Sequence, residues 1–287
     1  MKLLRHGPKG QERPGLLDND GQVRDLGAVL PDITAATLSP DDLAALRRID
    51  ITTLPVLPLD RLAVPWAGMG KFLAIGLNYA DHAAESNLPI PKEPILFTKP
   101  LSCAVGCHHP VVLPQGSVKS DWEVELGVVI GSTARYVSEA EALAHVAGYC
   151  VVNDLSEREY QLERGGTWDK GKGCDTFGPI GPWLVTADEV GDPQMLGLWL
   201  DVNGQRMQTG NTRTMIFSVA QIVSHVSRFM TLYPGDLITT GTPPGVGMGV
   251  KPNPVYLKAG DVMQLGIEKL GEQRQSVHAW DPALIDG

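Results

Sequence analysis

The segment Asp121-Trp122-Glu123-Val124-Glu125-Leu126-Gly127-Val128-Val129-Ile130 places three acids at alternate positions ahead of an apolar tail. The alternation reads as a β-strand, whose successive side chains point to opposite faces. Asp121, Glu123 and Glu125 then share one face, with Trp122, Val124 and Leu126 on the other. Three like charges on one face repel, so the arrangement calls for either water or a cation. Asp154 adds an acid at the end of a second apolar run, Tyr149-Cys150-Val151-Val152-Asn153. Hard oxygen donors without Cys or His suit magnesium, manganese or calcium rather than zinc. Spacing alone leaves a solvated strand face as the alternative and does not choose among the acids.

His82 and Glu85 are three residues apart in a segment that follows the apolar run Phe72-Leu73-Ala74-Ile75, with Asn78 a candidate helix cap. On a helix they share a face, and a carboxylate beside a histidine fixes its tautomer and raises its basicity. That suits a general base; an ordinary surface pair is the alternative. Trp168–Pro179 is polar and broken by glycine, hence a loop whose lysines either meet an anion or are solvated. Thr239–Val246 is a second loop after a strand, and its N–H groups and hydroxyls are suited to hold a carboxylate or simply to turn the chain. Cys103 and Cys107 precede His108-His109, but the spacing fits no structural zinc pattern closely. The four cysteines are expected as reduced thiols.

These residues need a scaffold of strands. Short apolar runs bounded by Gly and Pro predict strands at Phe72–Gly76, Ile95–Thr98, Val111–Leu113, Val124–Ile130, Tyr149–Asn153, Trp183–Val185, Leu198–Val202, Leu237–Thr240 and Val262–Ile267. Helices are expected over Glu139–Ala147 and Ser218–Thr231. Residues 1–68 read as a small N-terminal unit. It has a turn at Asn19-Asp20-Gly21, a returning strand Val23–Leu26, a helix start capped by Ser39 ahead of Pro40, and a Pro-rich linker Leu54–Leu59. Residues 69–287 read as the main, β-rich domain.

The composition narrows the classes. With 43% hydrophobic residues the chain has enough apolar surface for a large core. A net charge of −9 argues against phosphate-backbone or anionic-lipid partners. No apolar run approaches a membrane helix and the first residues lack a signal-like segment, so the cytoplasm is the expected compartment.

Six segments in order, "GLNYADHAAE", "PILFTKP", "DWEVELGVVIG", "VVNDLSERE", "KGKGCDTFGPIGPW" and "TTGTPPGVGMG", give the chain a resemblance to the fumarylacetoacetate hydrolase family. The similarity spans roughly residues 70 to 280 and is specific through the order of the segments. It implies an α+β, β-rich fold: a mixed β-roll with flanking helices and a small N-terminal α+β domain, usually dimeric. It also implies Glu123, Glu125 and Asp154 as ligands of Mg2+ or Mn2+, with Ca2+ possible. His82 and Glu85 match a water-activating dyad, and Lys172 matches an oxyanion-stabilising lysine. Gln161 and Thr242 match positions near the bound keto acid. Lys99 and Arg158, in two of the matching segments, are further candidates for substrate contact, and Asp121 is an acid beside the ligands. Leu77 stands where decarboxylating members carry arginine. The opening "MKLLRHGPKGQERPGLLD" resembles a subgroup acting on sugar-derived 2,4-diketo acids such as 2,4-diketo-3-deoxy-L-rhamnonate or L-fuconate. The expectation is therefore a C–C bond hydrolase. Keto-diacid decarboxylation, diene-dioate isomerisation and non-catalytic binding of a small acid are the alternatives.

Overall fold

The computed structural model describes residues 1–58, 61–85 and 89–285, with only the backbone of residues 83 and 84. The longest apolar runs form strands where the pattern predicts them: Phe72–Gly76, Ile95–Thr98, Val124–Ile130 and Val262–Ile267. Val124–Ile130 lies at the centre. It pairs antiparallel with Val146–Asn153 on one side and with Leu237–Thr239 on the other. Gly127 permits this contact, because a Cβ there would lie 2.8 Å from both Cys150 Sγ and Val152 Cγ2.

The sheet extends through Phe72–Gly76 to Ile95–Thr98 in one direction. In the other it runs through Gly178–Thr186 to Lys2–His6, Arg13–Leu17, Val23–Asp25 and Val56–Leu57. A second sheet has the order Gln205–Asn211, Gly197–Val202, Val262–Ile267, Gly271–His278, Val111–Val112. Val124, Leu126 and Val128 share a core with Leu200 and Leu265 of that sheet. The alternate residues Val129 and Val152 join a second core with Leu3, Leu43 and Trp66. With both faces covered, the central strands are apolar along their length. The expected mixed, strand-rich α+β architecture is the one observed.

The N-terminal hairpin forms as the turn signal predicts: Leu17 lies opposite Val23, and Gly21 has φ +77°. Ser39 caps the helix Pro40–Arg47 by accepting from Asp42 N at 3.1 Å, which buries Leu43 and Leu46. Lys2 sits opposite Val185, so both the sheet and the second core run across the boundary expected at residue 68. Within the expected linker, Val56–Leu57 pairs with Val23–Asp25; its last residue, Leu59, lies outside the described residues.

Other expectations shift. Glu139–Ala147 is helical only to His145, because Val146 and Ala147 enter the strand Val146–Asn153. The later helix is Val219–Val226, capped by Ser218, and Phe229 is left exposed beyond it. Strands Gln205–Asn211 and Gly271–His278 carry too few apolar residues to be read from the pattern. Among the described residues, no helix is long and apolar enough to cross a membrane.

Candidate active site

The central strand pair delivers the acids. Val124 lies opposite Asn153, which brings Glu123 beside Asp154, and Asp154 N donates to Glu123 O at 2.9 Å. The carboxylates of Glu123, Glu125 and Asp154 converge, with one ligand atom of each within 4.8 Å of the others, and all three residues are buried. Asp121 does not join them. The ladder breaks between Asp121 and Val124, and Ser120–Asp121 pairs instead with Ser156–Glu157. There the Asp121 carboxylate accepts from Gly247 N at 2.6 Å, Met248 N at 3.0 Å and Arg158 Nε at 2.8 Å. Strand parity therefore misplaces Asp121, which lies next to the cluster and is joined to it through Arg158.

Three cations meet the cluster unequally. Lys172 Nζ donates to Glu123 Oε2 and Asp154 Oδ2, each at 2.7 Å. Lys99 Nζ pairs with Asp154 Oδ1 at 2.7 Å, and Arg158 Nη2 donates to Glu123 Oε1 at 2.7 Å. Burial opposes the charge on Glu123, but Lys172 and Arg158 outweigh it and hold its pKa at about 2. Burial likewise opposes the Lys172 charge, and Asp154 and Glu123 outweigh it and raise its pKa. Glu125 has no ion pair among the described residues; it accepts from Thr239 Oγ1 at 2.5 Å and Gly241 N at 2.8 Å. Burial, reinforced by the charges of Asp154 and Glu123, pushes its carboxyl well above the usual range. Buried oxygen donors with one uncompensated carboxylate fit a hard divalent cation.

His82 and Glu85 lie on the short helix Ala80–Glu85, with His82 Nδ1 3.3 Å from Glu85 Oε2. Gly245 N donates to the same Glu85 oxygen at 3.1 Å. The loop after Leu237–Thr239 thus does hold carboxylates, as its composition suggests, but they are the protein's own: Glu125, Glu85 and Asp121. Asn78 does not cap the helix. Its amide donates to Phe217 O at 3.1 Å and Thr240 O at 2.8 Å, and so ties this segment to that loop.

His82, Glu85, Lys172 and the three clustered acids line one cavity of about 460 Å3. Arg158, Gln161 and Thr242 line it too, although the protein itself engages much of their bonding capacity. Arg158 is held by Asp121, Glu123 and Gln161 Oε1, and the Thr242 hydroxyl donates to Val124 O and accepts from Gln208 Nε2. Lys99 departs from the expectation of substrate contact. Its side chain is fully buried, and besides Asp154 it donates to Leu155 O at 3.3 Å and to Lys172 O. It pairs with Asp154 from outside the set of residues that line the cavity. The lysines expected in a loop lie in a helical turn, Asp169–Lys172, which buries Lys172.

Several contributors escaped the sequence reading. Gln208 is fully buried and fixes Val124 N as well as Thr242. Thr239 holds Glu125, and only the polar character of its loop signals that. Phe97, Trp168, Met248 and Lys251 also line the cavity; Phe97 and Met248 lie in two of the matching segments without being singled out, and Lys251 lies in none.

Residues 71–278 match the family described as fumarylacetoacetate (FAA) hydrolase, C-terminal. The chain belongs to the fumarylacetoacetate hydrolase family. A Burkholderia lata protein named as a hydrolase is 63% identical over 276 residues, covering 96% of this chain and 98% of its own. Among solved structures, fumarylacetoacetate hydrolase from Exiguobacterium antarcticum superposes with a TM-score of 0.85 at 35% identity, covering 98% of this chain and 100% of its own. Maleylpyruvate hydrolase from Sphingobium sp. SYK-6, solved with manganese(II) and pyruvate, gives 0.81 at 30% identity, with 98% and 100% covered. The 2-hydroxyhepta-2,4-diene-1,7-dioate isomerase of Mycobacterium marinum gives 0.76 at 33%, with 97% and 98% covered. The fumarylacetoacetate hydrolase family thus spans hydrolases and isomerases on one fold.

Proposed function

We propose that this chain is a metal-dependent hydrolase that cleaves the C3–C4 bond of a 2,4-diketo acid to pyruvate and a second carboxylic acid. The observation that carries this reading is one cavity that joins a buried three-carboxylate cluster, a His–Glu pair and a lysine. Glu123, Glu125 and Asp154 would hold the cation, magnesium or manganese first and calcium third. The manganese and pyruvate in the Sphingobium maleylpyruvate hydrolase support both the metal and the pyruvate head group. When bound, the cation supplies a Lewis acid for the keto-acid end of the substrate.

The side chains divide the remaining work. Glu85 accepts from His82 Nδ1 and leaves Nε2 to take a proton from water, whose oxygen adds to C4. Lys172 commits two of its three N–H donors to Glu123 and Asp154, so a third is available to the oxyanion that develops at C4. The C3–C4 bond then breaks and its electron pair passes to C3, which takes up a proton and becomes the methyl group of pyruvate. C4 leaves as a carboxylate. Arg158 and Gln161 orient Glu123 and the cavity wall. Leu77 at the arginine position of decarboxylating members favours hydrolysis over loss of CO2.

The sugar-derived acids 2,4-diketo-3-deoxy-L-rhamnonate and L-fuconate, which would yield pyruvate and lactate, belong in the first assays. The same reading includes a cytoplasmic homodimer or dimer of dimers, open to fractionation and sedimentation. The deciding experiment incubates the purified protein with Mg2+ or Mn2+ and a set of 2-keto acids, with and without EDTA. Pyruvate released with a carboxylic acid and lost on chelation is the expected result. Pyruvate with CO2, or a shifted double bond, would replace the hydrolase by a decarboxylase or an isomerase. No turnover of any 2-keto acid would leave a small-acid binder.

A further inference from the structure

The cavity has two unlike sets of lining side chains. The polar set, called the floor here, includes the acids, Lys172 and Arg158; the apolar set, called the wall, is Leu77, Ile95, Phe97, Leu162 and Trp168. Two of these apolar side chains are exposed, Ile95 at 37% and Leu162 at 48%, and the other three are half-buried. The wall is nevertheless built. Phe97 and Trp168 meet edge to face with ring centroids 5.2 Å apart. Trp168 lies so close over Gly76 that a Cβ there would come within 2.4 Å of its ring. Leu77 holds a left-handed backbone, φ +47°, uncommon for a branched residue and characteristic of positions where the surrounding structure dictates the conformation. Lys172 Nζ lies 5.2 Å from the Phe97 ring centroid, so the apolar wall begins beside the proposed oxyanion donor.

Resting on the hydrolase reading, we infer that this wall is the subsite for the group attached to C4, and that it takes an apolar acyl chain or aryl group. The substrate class is then the acylpyruvates with hydrocarbon tails. A polyhydroxylated tail would lose water on this wall and, among the side chains of its described residues, find one donor in exchange, the indole N–H of Trp168, which is unfavourable. A tail ending in a carboxylate would find one cation lining the cavity outside the floor, the exposed Lys251. The volume of about 460 Å3 lies within the range of small-molecule sites and leaves space beyond a three-carbon head.

The test is a chain-length series. Acetopyruvate, its longer straight-chain homologues and benzoylpyruvate are compared with 2,4-diketo-3-deoxy-L-rhamnonate and with maleylpyruvate, at saturating Mg2+. Full burial of each added methylene corresponds to a gain in kcat/KM of up to about fourfold, until the wall is filled. Trp168→Ala and Leu162→Ala should flatten that slope, and the second replaces a half-exposed side chain that the fold does not need. Turnover of diketo acids with a flat series, or with the hydroxylated or dicarboxylic substrate preferred, overturns the apolar subsite and leaves the hydrolase reading intact. Absence of turnover on every diketo acid overturns the hydrolase reading itself.

Discussion

Lys99 donates to the backbone carbonyl of Lys172, so a lysine buried outside the cavity anchors the one that lines it. The two also divide the carboxylate of Asp154, one at each oxygen. Lys99 therefore supports the floor of the site without lining the cavity.

Lys99→Met tests this arrangement. Removing one partner of a buried ion pair generally costs about 3–5 kcal/mol, because the remaining charge is left uncompensated. The variant should show a lower urea midpoint and weaker Mn2+ binding by calorimetry, and Lys99→Arg should recover part of both. Wild-type metal affinity in Lys99→Met would remove the positioning role.

The three acids should respond differently to loss of charge. Asp154→Asn strands Lys99 and leaves Lys172 with Glu123 alone, so the metal-free protein should unfold at lower temperature. Glu125→Gln removes a carboxyl that has no ion pair and resembles its protonated form in shape and charge. It should leave metal-free stability unchanged or higher. Both substitutions should abolish metal binding and turnover. Equal destabilisation by the two would show that Glu125 is compensated in solution.

Acidity should act on the same groups in opposite senses. The Glu125 pKa is raised on folding, so above its unfolded value of 4.5 the metal-free folded protein binds more protons than the unfolded chain. Its contribution to stability is therefore present below that pH and declines as pH rises through the folded pKa. Glu123, held at about 2, contributes above its unfolded value of 4.5 and loses that contribution as pH falls toward 2. Metal binding requires Glu125 to ionise, so affinity should rise with pH. Urea titrations across pH in EDTA, paired with Mn2+ binding isotherms, check both; an affinity independent of pH would contradict the assignment of Glu125.

His82→Ala should lower kcat by a factor of about 10² or more while leaving metal affinity intact. Glu85→Gln should lower it less, since the amide can still orient the ring. Normal turnover of His82→Ala would eliminate the dyad as the base.

Much of this arrangement is legible in the residues, and its gaps have physical causes. Val124–Ile130 and Phe72–Gly76 are readable because both faces of the sheet are covered, which makes the runs apolar. Gly178–Thr186 hides its first half, because Gly178-Pro179-Ile180-Gly181-Pro182 has the composition of a turn yet pairs in the sheet. The clustering of Glu123 with Glu125 follows from their spacing, but the exclusion of Asp121 depends on a break in the ladder that no local pattern announces. Lys99 reads as a substrate contact because it lies in a segment that matches the family. Only the fold shows that its anion is Asp154. The apolar wall draws on three separate stretches, 77, 95–97 and 162–168, and periodicity within any one of them cannot reveal it.

The strand Lys2–His6 has its sheet neighbour in Gly178–Thr186. On the ribosome, at about 5–20 residues per second, the first hairpin must wait on the order of ten seconds or more for that neighbour to emerge. Until then Leu3 and Leu16, destined for the interior, have only the earlier-made part of their core, such as Leu26, Leu43 and Trp66, to pack against. The birth of this chain thus includes an interval in which its earliest strands are only partly covered.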